Sequence, residues 1–299
     1  MFQNNLLEGK RIIITGASSG IGKALAYGLA DLGGHVGLLS RSGNLLNEIC
    51  HEITAQGHLA TYAAADVTLF QDVENGIRTL IGEMGGLDVL INNAGVAQTN
   101  ILPETSKEID AIIDTNLKGT FYCTHCVLPH LLTQNQGSII NTSSALSLAP
   151  IAEYIPFNIT YSATKAGINL FTVALASQML LKHIRVNAIL PGFVDTAMIQ
   201  QMPRPTLERF GIMNPGELVP FYAFFAADIS KQVTGRLIPT EIFKSVIHFA
   251  QKLPPENRST WQAFEPLVKT RYANQKYRVY GDLSELMHAN WKLITALLS

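Results

Sequence analysis

Arg11-Ile12-Ile13-Ile14-Thr15-Gly16-Ala17-Ser18-Ser19-Gly20-Ile21-Gly22 is the stretch that decides the fold. A short unbroken apolar run leads into a glycine-rich turn, and a helical period follows over Lys23–Leu32. Glycines there let the chain turn tightly, let backbone N–H groups approach a pyrophosphate, and let the next helix pack close to the strand. Phosphates would then meet the unpaired N–H groups and the positive end of a helix. The spacing Gly16-x-x-x-Gly20-x-Gly22 is not the more familiar dinucleotide fingerprint. Alone it also fits an ordinary turn; the strand–turn–helix setting favours a nucleotide.

Working outward, further strand candidates are His35–Ser40, Leu59–Ala64, Leu87–Asn92, Gly137–Thr142 and Ile184–Leu190. They are continuous apolar runs, as expected for strands covered on both faces of a parallel sheet. Helix candidates lie between them at Lys23–Leu32, Leu45–Gln56, Phe70–Met84, Ile109–Leu132 and Tyr161–Leu181. Repeated βα units predict an α/β fold, a Rossmann-like doubly wound parallel sheet in three α/β/α layers. The register weakens after Thr240, where Pro254-Pro255, Pro266 and Gly281 break helix-like stretches. We therefore expect a dinucleotide-binding and catalytic domain over 1–240 and a mostly helical C-terminal extension over 241–299, packed on the same domain or on a partner subunit.

Composition narrows the function classes. Charged residues are 15% of the chain, against about 25% in an average soluble domain, and apolar residues reach 47%, which argues against disorder. A net charge of −1 gives no electrostatic footprint for nucleic acid or an anionic membrane. Three cysteines are too few for a disulfide framework. Residues 1–10 lack the basic flank and apolar run of a signal peptide, and Ala166–Leu181 is interrupted by polar residues, so no membrane span is expected. A cytoplasmic location is the expectation.

Beyond the glycine turn, the second strand ends in Leu39-Ser40-Arg41-Ser42. A site preferring NAD places a carboxylate here for the ribose 2′-hydroxyl. Arg41 can instead pair with a 2′-phosphate, with Ser40 and Ser42 adding hydrogen bonds. NADP(H) is therefore predicted over NAD(H). Asp66-Val67 follows the third strand, where a carboxylate could accept from the adenine amino group. Asn92-Asn93-Ala94-Gly95 follows the fourth, at the carboxyl edge where such sheets bind ligands.

Tyr161-Ser162-Ala163-Thr164-Lys165 places a phenol and an ammonium one turn apart on one helix face. A free tyrosine, with a pKa near 10, is a poor proton carrier at neutrality, and a nearby cation would stabilise the phenolate. Ser143 or Ser144, after the fifth strand, could hydrogen-bond a carbonyl and the oxyanion that develops from it. Asn116 falls inside a long helix candidate, where asparagine is a mediocre helix former. Its side chain, with a local helix distortion, could hold a water that links Lys165 to solvent.

In this order, TGASSGIG, Asp66-Val67, NNAG, Asn116, Ser144, YSATK and Pro191-Gly192-Phe193-Val194-Asp195-Thr196 resemble the short-chain dehydrogenase/reductase family over about residues 8–240. The resemblance implies a catalytic tetrad of Asn116, Ser144, Tyr161 and Lys165. Tyr161 would be the acid/base and Ser144 the carbonyl orienter. Lys165 would tune Tyr161 and bind the nicotinamide ribose, and Asn116 would anchor the water. It also implies cofactor contacts from Gly16, Ser18, Ser19, Gly20, Ile21, Gly22, Asn93, Ala94, Gly95, Tyr161 and Lys165, and from Pro191, Gly192, Val194 and Thr196, with Val194 and Thr196 on the carboxamide. Two departures stand out. Ile151–Asn158, with Tyr154, lengthens the segment before Tyr161, and the tail over 241–299 replaces the family's glycine-rich finish.

The resulting expectation is an NADP(H)-dependent oxidoreductase that interconverts a ketone and a secondary alcohol. Met198, Met202, Pro203, Pro205, Phe210 and Met213 suggest a lid over a hydrophobic or acyl-like substrate. The alternative is a catalytically silent NADP(H)-binding regulator whose tail is the partner surface. In the family, helices around Phe121–Leu132 and Gly167–Leu181 form a dimer contact, so a homodimer or homotetramer is expected. Cys123-Thr124-His125-Cys126 lies mid-helix without a second ligand pair, and no metal site is expected. The basic and aromatic run Lys269–Tyr280 is read as laying its rings on its own domain, in a tail that covers the active-site cleft or locks the oligomer, not as a nucleic-acid site.

Overall fold

The computed structural model describes residues 5–97, 105–148, 159–200, 211–271 and 283–298. Seven strands form one parallel sheet: β1 (Arg11–Thr15), β2 (His35–Ser40), β3 (Ala60–Ala64), β4 (Val89–Asn92), β5 (Gly137–Thr142), β6 (Ile184–Leu190) and β7 (Leu237–Pro239). Their order is β3-β2-β1-β4-β5-β6-β7. Ile14 pairs with Leu38 on one side and Ile91 on the other. The order therefore reverses between β1 and β4, the switch point at whose carboxyl edge α/β sheets bind ligands.

Alternation along the strands sorts the apolar runs into two cores. Ile12, Ile14, Val36, Leu38, Val89, Ile91 and Ile189 face one layer. Helices α1 (Gly20–Asp31), α2 (Gly43–Ala55) and α7 (Val219–Ala226) cover it. Ile13, Leu39, Leu90, Ile139 and Val186 face the other. There α3 (Phe70–Met84), α5 (Gly119–Gln134) and α6 (Ile159–Met179) pack.

The helix expected over Ile109–Leu132 is in fact three consecutive pieces. α4 (Ser106–Ile112) opens with a Thr105/Glu108 capping box, a π-helical turn spans Ile113–Lys118, and α5 continues. Asn116 sits in the π turn and is buried; the Thr120 hydroxyl donates to its carbonyl at 2.8 Å. A wide turn of this kind re-aims one side chain without ending the helix.

The weakened register after Thr240 hides well-packed helices. α8 (Thr240–Gln251) starts directly at the end of β7, followed by α9 (Trp261–Arg271), α10 (Leu283–Ala289) and α11 (Trp291–Leu298). Phe243, Val246, Phe264, Met287, Leu293 and Ile294 are buried in the same core as α1 and α7. Trp261 stacks on His288 and meets Trp291 edge-on. Among the described residues no helix is long and apolar enough to cross a membrane.

Candidate active site

α6 runs past the ends of β5 and carries Tyr161 and Lys165, both buried. The Lys165 ammonium stands 5.5 Å from the centre of the Tyr161 ring. Its Nζ donates to the Thr142 carbonyl at 2.8 Å. The two serines after β5 part ways here. Ser143 donates its hydroxyl to the Lys165 carbonyl at 3.0 Å, whereas Ser144 shares a side-chain hydrogen bond with Tyr161. Ser144 Oγ also accepts from Leu146 N at 3.2 Å, which fixes its turn. Asn169, one turn beyond Lys165, donates to Ser147 Oγ, and Ser147 donates to the Ser144 carbonyl.

Asn116 approaches from the π turn. Its amide accepts from Val96 N at 2.8 Å and donates to Val96 O at 2.9 Å. Thr164 Oγ1 lies 3.4 Å from its Nδ2 and donates to the Tyr161 carbonyl. A Cβ on Gly95 would come within 3.3 Å of Asn116 Oδ1 and 3.5 Å of Lys165 Nζ. Asn116, Ser144, Tyr161, Lys165 and Gly95 therefore meet at the carboxyl edge of the sheet.

Burial dominates the electrostatics. It pushes the Tyr161 phenol up to about 12, with the Ser144 hydrogen bond pulling the other way. The Lys165 amine falls to about 8 for the same reason. The sequence suggests that the ammonium would acidify the phenol. Among the protein's own groups the larger influence on both is the low-dielectric surroundings, which disfavour either charge. Tyr161 is thus held in its acid form at neutral pH.

The glycine turn is shaped by close approach. Gly16 has φ +66°, and a Cβ there would lie 2.8 Å from Ala94 Cα; one on Gly22 would lie 2.2 Å from the Gly16 carbonyl. Gly20, also at positive φ, abuts the Thr196 methyl. Ser19 precedes α1 without capping it through its side chain, Ser18 is half-buried, and Ile21 lies in the first helical turn. A backbone cradle that side chains would fill, opening onto an uncapped helix start, fits the pyrophosphate of a dinucleotide.

Neighbouring segments brace this cradle. Asn93 Nδ2 donates to Thr15 O and Gly16 O, and the backbone N–H groups of Asn93 and Ala94 donate to Thr15 Oγ1. The Asn93 side chain is therefore spent on the glycine turn. Pro191 O accepts from Ala145 N at 2.8 Å, tying its segment to the Ser144 turn. Val194 bridges to Met213, and Thr196 Oγ1 donates to Val194 O. Gly192 has no room for a side chain because the Glu241 carboxylate of α8 lies against it.

At the far end of the cleft Arg41 is 72% exposed, with Nη1 4.0 Å from Asp66 Oδ2. The other Asp66 oxygen is engaged by the N–H and hydroxyl of Thr68. Ser40 Oγ accepts from Ser42 N, and Ser42 precedes α2. The adjacent Val67 packs against Gly119, at the start of α5.

Sequence reasoning missed Thr15, Thr142, Thr164, Asn169 and Tyr222. Each acts through hydrogen bonds to distant residues, a role that residue type does not announce. Tyr154 and the rest of the stretch 151–158 lie outside the described residues, as do Met202, Pro203, Pro205, Phe210 and residues 272–280. Cys123 is buried and Cys126 half-buried, and burial raises both thiols. Among the described residues no three His, Cys, Asp or Glu side chains converge.

Residues 10–206 match the short chain dehydrogenase family. A 3-oxoacyl-(acyl-carrier-protein) reductase of Thermotoga maritima is 35% identical over 242 residues, covering 78% of this chain and 96% of that one. A short-chain type dehydrogenase/reductase structure from Mycobacterium marinum superposes with TM-score 0.72 at 30% identity, covering 79% and 96% of the two chains. A 3-ketoacyl-(acyl-carrier-protein) reductase from Brucella melitensis, solved with NADH, gives TM-score 0.71 at 26% identity over 78% and 96%. The chain belongs to the short-chain dehydrogenase/reductase family. It is an oxidoreductase of the class that uses a nicotinamide dinucleotide.

Proposed function

We propose that this protein reduces a ketone to a secondary alcohol, reversibly, with NADP(H) as the preferred cofactor. The observation that carries this reading is the buried contact of Tyr161 with Ser144, beside Lys165. When bound, the reduced nicotinamide supplies the hydride that the carbonyl carbon receives. The Ser144 hydroxyl holds the carbonyl oxygen and stabilises its developing charge. Tyr161, protonated at neutral pH, gives its proton to that oxygen and takes it back in the reverse direction. Lys165, its amine drawn down to about 8, can exchange a proton close to neutrality and meets the transient phenolate with positive charge. Asn116 holds the Val96 segment and the Tyr161 helix in register.

The glycine turn, with Gly16, Gly20 and Gly22, would hold the pyrophosphate, and Val194 and Thr196 would face the carboxamide end. Exposed Arg41, flanked by Ser40 and Ser42, supports a 2′-phosphate partner. The acyl-reductase names of the relatives, with Met198 and Met213 near Val194 and Thr196, support a hydrophobic 3-oxoacyl substrate. Phe121, Leu132, Leu170, Val173, Leu180 and Leu181 leave apolar surface exposed on and just beyond α5 and α6. That supports a homodimer or homotetramer through these helices, which light scattering would test.

An acetoacetyl thioester, ethyl acetoacetate and a simple aliphatic ketone, each with NADPH and with NADH, test the reaction. Turnover by wild type that Tyr161→Phe loses is the expected result. Equal turnover by both would remove Tyr161 from the chemistry.

A further inference from the structure

Thr142, the last residue of β5, faces two partners with its two oxygens. Its carbonyl receives Lys165 Nζ at 2.8 Å. Its hydroxyl shares a hydrogen bond of 2.8 Å with the Tyr222 hydroxyl. Tyr222 belongs to α7, Val-Pro-Phe-Tyr-Ala-Phe-Phe-Ala, where it is the one polar side chain, and it is fully buried. A phenol in such a helix costs desolvation unless its hydroxyl is bonded, so phenylalanine would serve the core at least as well. The hydroxyl therefore has a reason other than packing.

Tyr222 is also within electrostatic reach of the site. Burial pushes its phenol upward, the Thr142 hydrogen bond pulls against that, and the charge of Tyr161 adds a smaller upward push, so it remains a neutral hydrogen-bonding group. Among the described residues, the ionisable side chains along this path are Tyr161, Lys165 and Tyr222, and burial is the largest influence on each.

We propose that Tyr222 is a positioning residue: by holding the Thr142 hydroxyl it fixes the Thr142 carbonyl that receives Lys165 Nζ, and so sets where the amine stands relative to Tyr161. The inference rests on the reading of Tyr161 and Lys165 as proton donor and partner. Tyr222 itself touches neither substrate nor cofactor in this role. Without its hydroxyl, Thr142 loses the anchor opposite Lys165, and the amine samples a wider set of positions.

Tyr222→Phe, Thr142→Val and the double variant provide the test, with ethyl acetoacetate as the probe. For Tyr222→Phe, kcat should fall about tenfold while KM stays within about twofold, since misplacement acts on the chemical step. The pH at which kcat changes should move as well. The double variant should be no worse than the poorer single one, because both cut the same link. A lowered melting temperature with unchanged kcat and pH profile would reduce Tyr222 to a packing residue and overturn the inference.

A substrate-free measurement guards against a poor probe. Above about pH 8 the melting temperature of wild type should rise relative to that of Lys165→Met, as Lys165 loses its proton. Tyr222→Phe should displace that rise along the pH axis, and a curve parallel to wild type would also overturn the inference. Retained turnover in Tyr161→Phe would instead remove the catalytic reading itself, whatever Tyr222→Phe does.

Discussion

The Ser143 hydroxyl donates to the Lys165 carbonyl at 3.0 Å. This bond pins the end of β5 to the helix that carries both Tyr161 and Lys165, while the next side chain, Ser144, bonds to the Tyr161 phenol. Two adjacent serines thus serve opposite sides of one problem. One holds the strand and helix together; the other bonds the phenol that the proposed reaction uses. A hydroxyl donating to a buried carbonyl is unavailable to an incoming oxygen, so the division of labour follows from hydrogen-bond capacity.

The two alanine variants should separate cleanly. Ser144→Ala should lower kcat about a hundredfold with little effect on stability, because it removes a donor to the developing oxyanion. Ser143→Ala should cost about 1–2 kcal/mol of stability by removing the buried hydrogen bond that ties the end of β5 to α6, with turnover within a few-fold of wild type. Steady-state kinetics and denaturant unfolding of both variants decide between the serines.

Lys165 makes stability depend on pH in the alkaline range. Its folded pKa, about 8, lies below the ordinary 10.5. The unfolded chain therefore holds the proton more tightly. The burial penalty is fully felt below pH 8 and is relieved as pH rises toward 10.5, a gain of at most about 3 kcal/mol. Tyr161 opposes this at higher pH. Its pKa is raised from 10.0 to about 12, so its contribution is intact below pH 10 and lost as pH climbs through 12. Between pH 8 and pH 10 the unfolding free energy of wild type should therefore gain on that of Lys165→Met, while the raised thiols of Cys50, Cys123 and Cys126 pull both chains down alike above their ordinary 9. Urea titrations across that window would reveal a missing slope.

Arg41 is exposed just beyond β2, 4.0 Å from Asp66, and the proposed preference for NADP(H) assigns it the 2′-phosphate. Arg41→Asp should weaken NADPH binding about tenfold or more and leave NADH binding nearly unchanged, because a carboxylate repels the phosphate and accepts from a ribose hydroxyl. Calorimetric titration with both dinucleotides reads the ratio. An unaltered ratio would return Arg41 to the role of a solvated loop charge.

The C-terminal helices share the core of the sheet, so cutting them away should not be neutral. Phe264 is fully buried, between Phe249 and the two tryptophans Trp261 and Trp291. Phe264→Ala should cost about 3–5 kcal/mol. Truncation after Pro239 should yield an aggregating or markedly less stable chain, since it strips cover from Tyr222, Phe224 and the strand edge beneath. A melting temperature unchanged by truncation would contradict this packing.

The unbroken apolar runs Ile12–Ile14 and Ala188–Leu190, the glycine turn and the order of the motifs already specify a doubly wound sheet in this family, because these are local signals. Strand burial and turn geometry are written into neighbouring residues, and side-chain spacing on one helix puts Tyr161 and Lys165 together. What only the tertiary structure decided is which groups those side chains face. Ser143 turns to Lys165, Asn93 to Thr15 and Gly16, Asn116 to Val96, and Tyr222 reaches Thr142 across 80 residues of chain. The packed position of the tail and the opposite shifts of Tyr161 and Lys165 belong to the same category. Hydrogen bonds between distant segments and the dielectric around a buried charge arise from packing, and no local run of residues encodes either.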